Sequence, residues 1–418
     1  MIRELSRRPL QSAGRCDQPV VAMKRKPLHD LKVIELGQLI AGPFAGKFFS
    51  EFGAEVIKVE PPEGDPLRKW RKLHEGTSLW WYVQNRNKKS VTVDLRLPEG
   101  QEVVRRLARD ADVVIENFRP GTLEKWGLGY EGLAAANPGL VMLRLSGFGQ
   151  TGPYRDRAGF GAIGESMGGL RYVTGFPDRP PVRPNLSIGD ALASLHGVIG
   201  ALMALHHRDT NGGKGQVVDV ALYEAVFNMM EGAFPEYDLF RETRERTGSN
   251  LTGIVPSNTY LTRDGQHVVI GANADSIFKR LMKVIGRADL AGDPSLGDNA
   301  GRAKRADELD AVIGEWTAKA DAGEVVKMLN DAQVPNGKIY SMADIACDAQ
   351  YLARDMIRQV RLKDGTPLKV PGIVPKLSVT PGDIEWIGPE LGAHTASVLA
   401  AHGYSKAEIA GLRECKVI

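Results

Sequence analysis

Between Lys32 and Val59 the chain runs from a short apolar segment, Lys32-Val-Ile-Glu-Leu36, through a helical stretch from Gly42 to Phe52, to a second apolar segment, Ala54 to Val59. Pro43 sits near the start of the helical stretch and Gly53 stops it, so the pattern predicts a strand, a helix and a strand in immediate succession. The theme repeats: Ser90 to Leu95, Asp112 to Ile115 and Leu140 to Leu145 read as strands and Pro98 to Arg109 as a helix. The first 150 residues therefore predict an α/β fold with a doubly wound, mostly parallel sheet. Ligands of such sheets bind where loops leave the carboxyl ends of the strands, which singles out the loops after Leu36, Val59, Ile115 and Leu145.

Farther along, residues 188 to 208 and 218 to 232 predict two largely apolar helices joined by the turn Asn211-Gly-Gly-Lys-Gly215. Charged and turn residues cluster at 234 to 256. The strand His267 to Gly271 and three helical segments between 274 and 333 then predict a compact second unit. The expected organisation is a disordered basic extension over 1–26, the first part of a large domain over 27–245, a small domain over 246–340, and a return to the large domain over 341–418. That return ends in a helical pair, His394 to Gly403 and Lys406 to Arg413.

The formal charge of +3 is unevenly spread. Residues 1 to 26 hold seven Lys or Arg against two acids, leaving the rest of the chain at −2. A near-neutral body argues against a nucleic acid partner, which requires a basic stripe with interleaved aromatics. No uninterrupted apolar run is long enough to span a bilayer, so no membrane partner is expected. Cys16, Cys347 and Cys415 show no CxxC or Cys/His spacing, which predicts reduced thiols in a cytoplasmic protein and no structural metal. The basic extension lacks a secretory apolar core. It reads as a tail or an over-long start ahead of Met23, with a targeting signal as the alternative.

Several motif-like stretches fail on context. Gly159-Phe-Gly161-Ala-Ile-Gly164 has the letters of a dinucleotide fingerprint but follows Tyr154-Arg-Asp-Arg157 rather than a strand. Asn211-Gly-Gly-Lys-Gly-Gln216 lacks the Ser or Thr of a phosphate loop and reads as a tight interhelical turn. His206 and His207 are adjacent on a helix and so cannot act as paired metal ligands. No GxSxG elbow is present, and Cys415 lies too near the chain end to suggest a nucleophile.

Asp190 stands out by position. The proline-rich stretch Pro180 to Gly189 precedes it and a long apolar helix, Ala191 to Leu205, follows, which is the place of an N-cap residue. The functional reading of the same residue is a carboxylate nucleophile, with bare Gly189 beside it admitting a substrate carbonyl.

Taken in order, Ala41-Gly-Pro43, Gly53-Ala-Glu-Val-Ile-Lys-Val-Glu60, Asn85-Arg-Asn-Lys-Lys-Ser90, Glu116-Asn-Phe-Arg-Pro-Gly121, Ser146-Gly-Phe-Gly-Gln-Thr-Gly-Pro153, Gly189-Asp190 and Gly213-Lys-Gly-Gln216 resemble the motifs of family III CoA-transferases. The resemblance runs from about Pro27 to the C-terminus and includes Leu391-Gly-Ala-His-Thr395. It implies a Rossmann-like large domain, a smaller α/β domain and an interlocked homodimer. It implies that Asp190 is the catalytic carboxylate. It also implies that coenzyme A lies along Ile40 and Ala41, along Val93, Asp94, Leu95 and Arg96, along Asn117, Phe118 and Arg119 with Lys125, and along Ser146, Gly147, Phe148 and Gly149. Arg96, Arg119 and Lys125 suit an anionic nucleotide, as does a bare backbone at Gly147.

What the resemblance implies chemically is transfer of CoA from an acyl-CoA donor to a free carboxylic acid, through a mixed anhydride and an aspartyl-CoA thioester on Asp190. No permanent cofactor is implied, since the CoA thioester is a substrate. Water has to be excluded, a task to which Trp70, Trp80 and Trp81 are candidates to contribute. The glycine run of formyl-CoA transferase has no counterpart in 247–256, and Ile40 and Pro61 replace its oxalate-side glutamine and adenine-side arginine, so the resemblance does not extend to oxalate. Arg171 and Arg183 flank the approach to Asp190, and either could hold a second carboxylate, which points to small dicarboxylates. The alternatives are a 2-methylacyl-CoA racemase, whose His-Asp motif would fall at Gly159-Phe160-Gly161 where this chain has neither residue, and a non-catalytic CoA-binding protein.

Overall fold

The computed structural model describes residues 25–418; Cys16 and nearly all of the expected basic extension lie outside them. One sheet holds six strands, β1 (Lys32–Glu35), β2 (Glu55–Glu60), β3 (Lys88–Thr92), β4 (Val113–Glu116), β5 (Val141–Ser146) and β6 (Val217–Ala221). All neighbours pair in parallel, in the order β3-β2-β1-β4-β5-β6. The chain leaves β1 toward one edge and later returns to its other side at β4. The strand order therefore reverses between β1 and β4, and the crevice above their carboxyl ends is where such a sheet takes a ligand.

Alternation along the strands feeds two cores. Ile34, Ile57, Val91, Val114 and Met142 face a cluster closed by Val103, Val104 and Leu107 of helix α2 (Pro98–Ala108), whereas Val33, Val56, Val113 and Leu143 face one closed by Ala45 and Phe49 of α1 (Ala41–Glu51). Apolar residues on both faces are what a parallel sheet with covering helices requires. The helices Thr395–Ala401 and Lys406–Glu414 add Val398, Leu399 and Ile409 to the α2 side, so the chain end packs on the main sheet. A separate three-stranded antiparallel sheet, β7 (Ser257–Leu261), β8 (His267–Gly271) and β9 (Asn336–Lys338), has its own core around Phe278, Leu281, Ile313 and Val325.

Two expectations about the middle of the chain need correction. Residues 217–221 are not helical: Val217-Val-Asp-Val-Ala221 is the edge strand β6, and the glycine turn before it joins a helix to a strand. Its β-branched, alternating residues fit a pleated surface, and β5 offers the pairing partner. The strand expected at Ser90 to Leu95 lies two to three residues earlier, which leaves Val93 to Arg96 in the loop beyond it.

The longest helix among the described residues, α4 in chain order after α3 (Gly161–Met167), spans Ile188–Thr210 and is long and apolar enough by length and composition to cross a membrane, although Asp190, Ser194 and His196 interrupt its apolar run. Here its small residues Ala193, Gly197, Ala201 and Ala204 lie against the sheet, close enough that a β-carbon on Gly197 would stand 2.9 Å from Leu143. Its other side leaves Leu195, Ile199, Leu202 and Met203 exposed.

Candidate active site

The loops after β1 and β4 are locked together at the switch point. Asn117 accepts the Gln38 N–H at 2.8 Å through Oδ1 and donates Nδ2 to the Gln38 carbonyl at 2.8 Å, clasping one loop to the other. Below them lies a layer of buried ions. Lys58 pairs with Asp65 at 2.8 Å and Glu35 at 3.2 Å and donates to the Gly37 carbonyl, while Lys88 pairs with Glu35 at 2.7 Å and donates to the Pro43 carbonyl at 2.8 Å. Asp65 in turn accepts the Leu39 N–H, at a residue with φ of 62° that needs such fixing. Burial alone would lower the Lys58 pKa, but Asp65, Glu35 and Glu60 outweigh it and hold it above its ordinary value; Lys88, with fewer acids, is pushed by burial to about 8.

A second buried network supports the loop after β4. Glu116 accepts the Phe118 N–H at 2.8 Å and Arg144 Nε at 2.7 Å, and Arg144 forks onto Glu124. Burial pushes Glu116 up to about 7 against the pull of Arg144. Arg119, projecting from this loop, donates to the Asp156 carbonyl at 3.3 Å and so ties it to the segment leading into α3.

That segment approaches the loop after β5 backbone to backbone. A β-carbon on Gly147 would come within 2.8 Å of Gly159 Cα, so the bare backbone expected to receive a nucleotide is used to let Gly159 close in. Two residues on, α3 begins at Gly161, and the Asp190 carboxylate occupies the place of its missing side chain: a β-carbon there would lie 2.0 Å from Asp190 Oδ2. Asp190 is not the N-cap of its helix. Ser187 holds that position and Asp190 stands in the first turn, where the carboxylate faces the helix dipole and a cavity rather than capping backbone. Gly189 likewise does not face substrate space, because Gly161 O and Glu165 Cγ fill what a β-carbon would take.

The resulting cavity, about 500 Å³, has Asp190 in its wall. Among the described residues no side chain hydrogen-bonds to the Asp190 carboxylate. Burial, with the charge of Glu165 adding to it and that of Arg183 opposing, raises its pKa to about 6. It is thus ionised at neutral pH yet poorly solvated and unpaired, the state that favours nucleophilic attack.

Of the residues expected to hold coenzyme A, Ile40, Ala41, Asn117, Phe118, Arg119, Ser146 and Gly147 line this cavity with Asp190. Val93, Asp94, Leu95, Arg96, Lys125, Phe148 and Gly149 do not. Val93 is buried in the core, Arg96 forks back onto Asp94 at 2.6–2.8 Å while remaining exposed, and Phe148 stacks edge-on to Tyr154. The cavity also holds cations that the sequence did not single out, Arg155 and Arg157, together with Trp70. Glu165 was missed as well. It is fully buried on α3 and receives Arg183 through Nε at 2.9 Å and Nη2 at 3.1 Å and Arg171 at 3.3 Å. Charges of this kind are recognisable only once 161–190 folds on itself.

A second cavity of about 560 Å³ adjoins the first and shares Trp70, Arg183 and Ser187 with it; Leu79, Trp80 and Leu186 give it apolar walls. Of the three tryptophans, Trp81 is fully buried, beneath the Arg68 guanidinium at 3.6 Å, and is a packing residue.

A family model described as CoA-transferase family III matches residues 28–395. A succinyl-CoA:D-citramalate CoA-transferase of Chloroflexus aurantiacus is 51% identical over 396 residues, covering 94% of this chain and 98% of that protein. A succinate–glutarate CoA-transferase of Agrobacterium fabrum is 35% identical, over 90% of this chain and 96% of its own. A crystal structure of a CAIB/BAIF family protein from Brucella suis superposes with a TM-score of 0.79 at 35% identity, over 90% of this chain and all of the other.

Proposed function

The chain belongs to CoA-transferase family III and is an enzyme of that class, and from this premise we propose that it moves coenzyme A from a succinyl-CoA-type donor to a small dicarboxylic acid, with Asp190 as nucleophile. The observation that carries the proposal is the unpaired Asp190 carboxylate, partly desolvated, in a cavity edged by the switch-point loops. The relatives named for citramalate and glutarate support the substrate class, since both acids carry two carboxylates.

The chemistry follows from a carboxylate meeting a thioester. An Asp190 oxygen attacks the acyl-CoA carbonyl, the C–S bond breaks, and a mixed anhydride forms as CoA leaves as thiolate. The thiolate then attacks the aspartyl carbonyl, releasing the donor acid and leaving an aspartyl-CoA thioester. An incoming carboxylate displaces CoA from this thioester to form a second anhydride. CoA attacks the acyl carbonyl of that anhydride, which frees Asp190 and the new acyl-CoA. Arg119, Arg155 and Arg157 supply positive charge for the anionic substrate, and Arg96 and Lys125 are proposed to meet the nucleotide end farther along the same sheet edge.

The interlocked homodimer and the division into a large domain and a small domain at 246–340 belong to the same proposal. The dimer is supported by the exposed apolar side of α4 and by exposed Phe234, Leu239 and Phe240. A cytoplasmic location is supported by Cys347 and Cys415, both exposed and unpaired among the described residues. The test is an exchange panel: succinyl-CoA or acetyl-CoA with free mono- and dicarboxylates, new thioesters read by mass spectrometry. New acyl-CoA species that vanish in Asp190→Ala support the reading; undiminished exchange in that variant refutes it.

A further inference from the structure

The sequence left Arg171 and Arg183 equal as holders of a second carboxylate, and their placement separates them. Both turn toward Glu165, whose two oxygens are saturated: one accepts Arg183 Nη2 and the Gly189 N–H, the other Arg183 Nε and Arg171 Nη2. Arg171 lines neither cavity, and its Nε is buried without a hydrogen-bond partner among the described residues. Arg183 lines both cavities. With Nε and Nη2 committed to Glu165, its Nη1 makes no hydrogen bond among the described residues, and two-fifths of its side chain is exposed.

We propose that Arg183, oriented by Glu165, receives the remote carboxylate of the transferred acid, whose carbon chain lies in the second cavity beside Trp70 and Trp80. This rests on the dicarboxylate CoA-transferase reading and names the residue behind it. A guanidinium fixed along one edge by a buried carboxylate presents its other edge in a set direction, the arrangement suited to a second carboxylate.

Acceptors of equal chain length test the proposal. In a ping-pong exchange the kcat/KM of the acceptor reports only the half-reaction from the aspartyl-CoA thioester onward, so glutarate and valerate are compared with one donor, in wild type, Arg183→Ala, Arg183→Lys and Arg171→Ala. The wild-type preference for glutarate is expected to be about 100-fold and to fall to within about threefold of parity in Arg183→Ala, with Arg183→Lys between. Arg171→Ala is expected to keep the preference within about threefold of wild type. Added guanidinium ion is expected to restore glutarate turnover, and not valerate turnover, in Arg183→Ala. Misfolding would depress both acids together and leave their ratio standing. A ratio retained in Arg183→Ala, one that collapses equally in Arg171→Ala, or a wild type indifferent between the acids overturns the inference while CoA transfer stands. No thioester formed with any acid refutes the transferase reading itself.

Discussion

The Asp190 carboxylate lies in the space that a side chain on Gly161 would fill, with Oδ2 only 2.0 Å from where a β-carbon would be built. No real β-carbon approaches an oxygen so closely, and both residues begin helices whose backbones are fixed by packing. Gly161→Ala is therefore expected to push the carboxylate from its position. Displacing a reacting atom by about 1 Å costs on the order of 100-fold, so CoA exchange should fall by at least that much. Far-UV circular dichroism should be unchanged, and activity equal to wild type would contradict the assigned position of the nucleophile.

Asp190 carries a cost to the fold that its removal should recover. The unfolded chain ionises this group near 3.8 and the folded one at about 6. Between these values the native state keeps a proton that the unfolded state gives up, so stability falls as pH rises through the window and the deficit is complete above about pH 6. Asp190→Asn should unfold about 1–3 kcal/mol less readily than wild type at pH 8, and the advantage should vanish below pH 4. Denaturant titrations at the two pH values check this. The same ionisation predicts that the kcat/KM of the acyl-CoA donor declines as pH drops through about 6, the free carboxylate then being protonated and non-nucleophilic.

The ion layer under the loop after β1 should behave differently, because it is fully buried and every charge in it has a partner. Lys58→Met would leave Asp65 and Glu35 facing each other without their shared cation. Breaking a buried pair from one side costs about 3–5 kcal/mol, and the loss should appear as a lower midpoint in urea. Since Lys58 and Asp65 also fix Gly37 and Leu39, the variant should bind CoA more weakly at temperatures where it remains folded. A variant as stable as wild type would remove this layer from the account of the loop.

How much of this the sequence displayed depends on the range of the forces concerned. Strands β1, β2, β4 and β5 were legible because their apolar runs are bounded by local stops such as Gly53. Strand β6 was not, since Val217–Ala221 becomes a strand by pairing with β5 across more than seventy residues of sequence. Asp190 drew attention through its motif, although its neighbour Gly189 was misread: it appeared free for a substrate carbonyl and is in contact with Gly161 and Glu165. Lys58 and Lys88 sit inside strand patterns as if on a solvent face, and only the folded sheet reveals them to be buried on Glu35. Glu165 carried no local signal at all.

The clasp between the switch-point loops offers a separate test of binding. Asn117 spends both ends of its amide on the Gln38 backbone, holding Ile40 and Ala41 opposite Phe118 and Arg119. Asn117→Asp keeps the acceptor but turns the donor into a second oxygen facing the Gln38 carbonyl, and adds negative charge where an anionic nucleotide is proposed to pass. The loss of one hydrogen bond and the repulsion together predict about 1–3 kcal/mol of lost stability, and a rise in the KM for acyl-CoA that exceeds the fall in kcat. Asn117→Ala, which lacks the charge, should lose comparable stability with a smaller rise in KM. Equal KM values in the two variants would assign Asn117 to the scaffold alone.

The exposed side of α4 predicts the assembly. Leu195, Ile199, Leu202 and Met203 form an apolar face along the same helix whose first turn carries Asp190. Such a face left in water is costly, at about 25 cal/mol for each Å² of apolar surface, and a second copy of the chain is the proposed cover. Sedimentation at micromolar concentration should give a dimer for the wild type. Ile199→Asp with Met203→Asp places two charges on the covered face, where desolvation without a partner is prohibitive, and should yield monomers. The sheet side of the helix, with Ala193, Gly197 and Ala201, is untouched by these changes, so each monomer should keep its fold. A double variant that sediments as the wild-type dimer would place the subunit contact elsewhere.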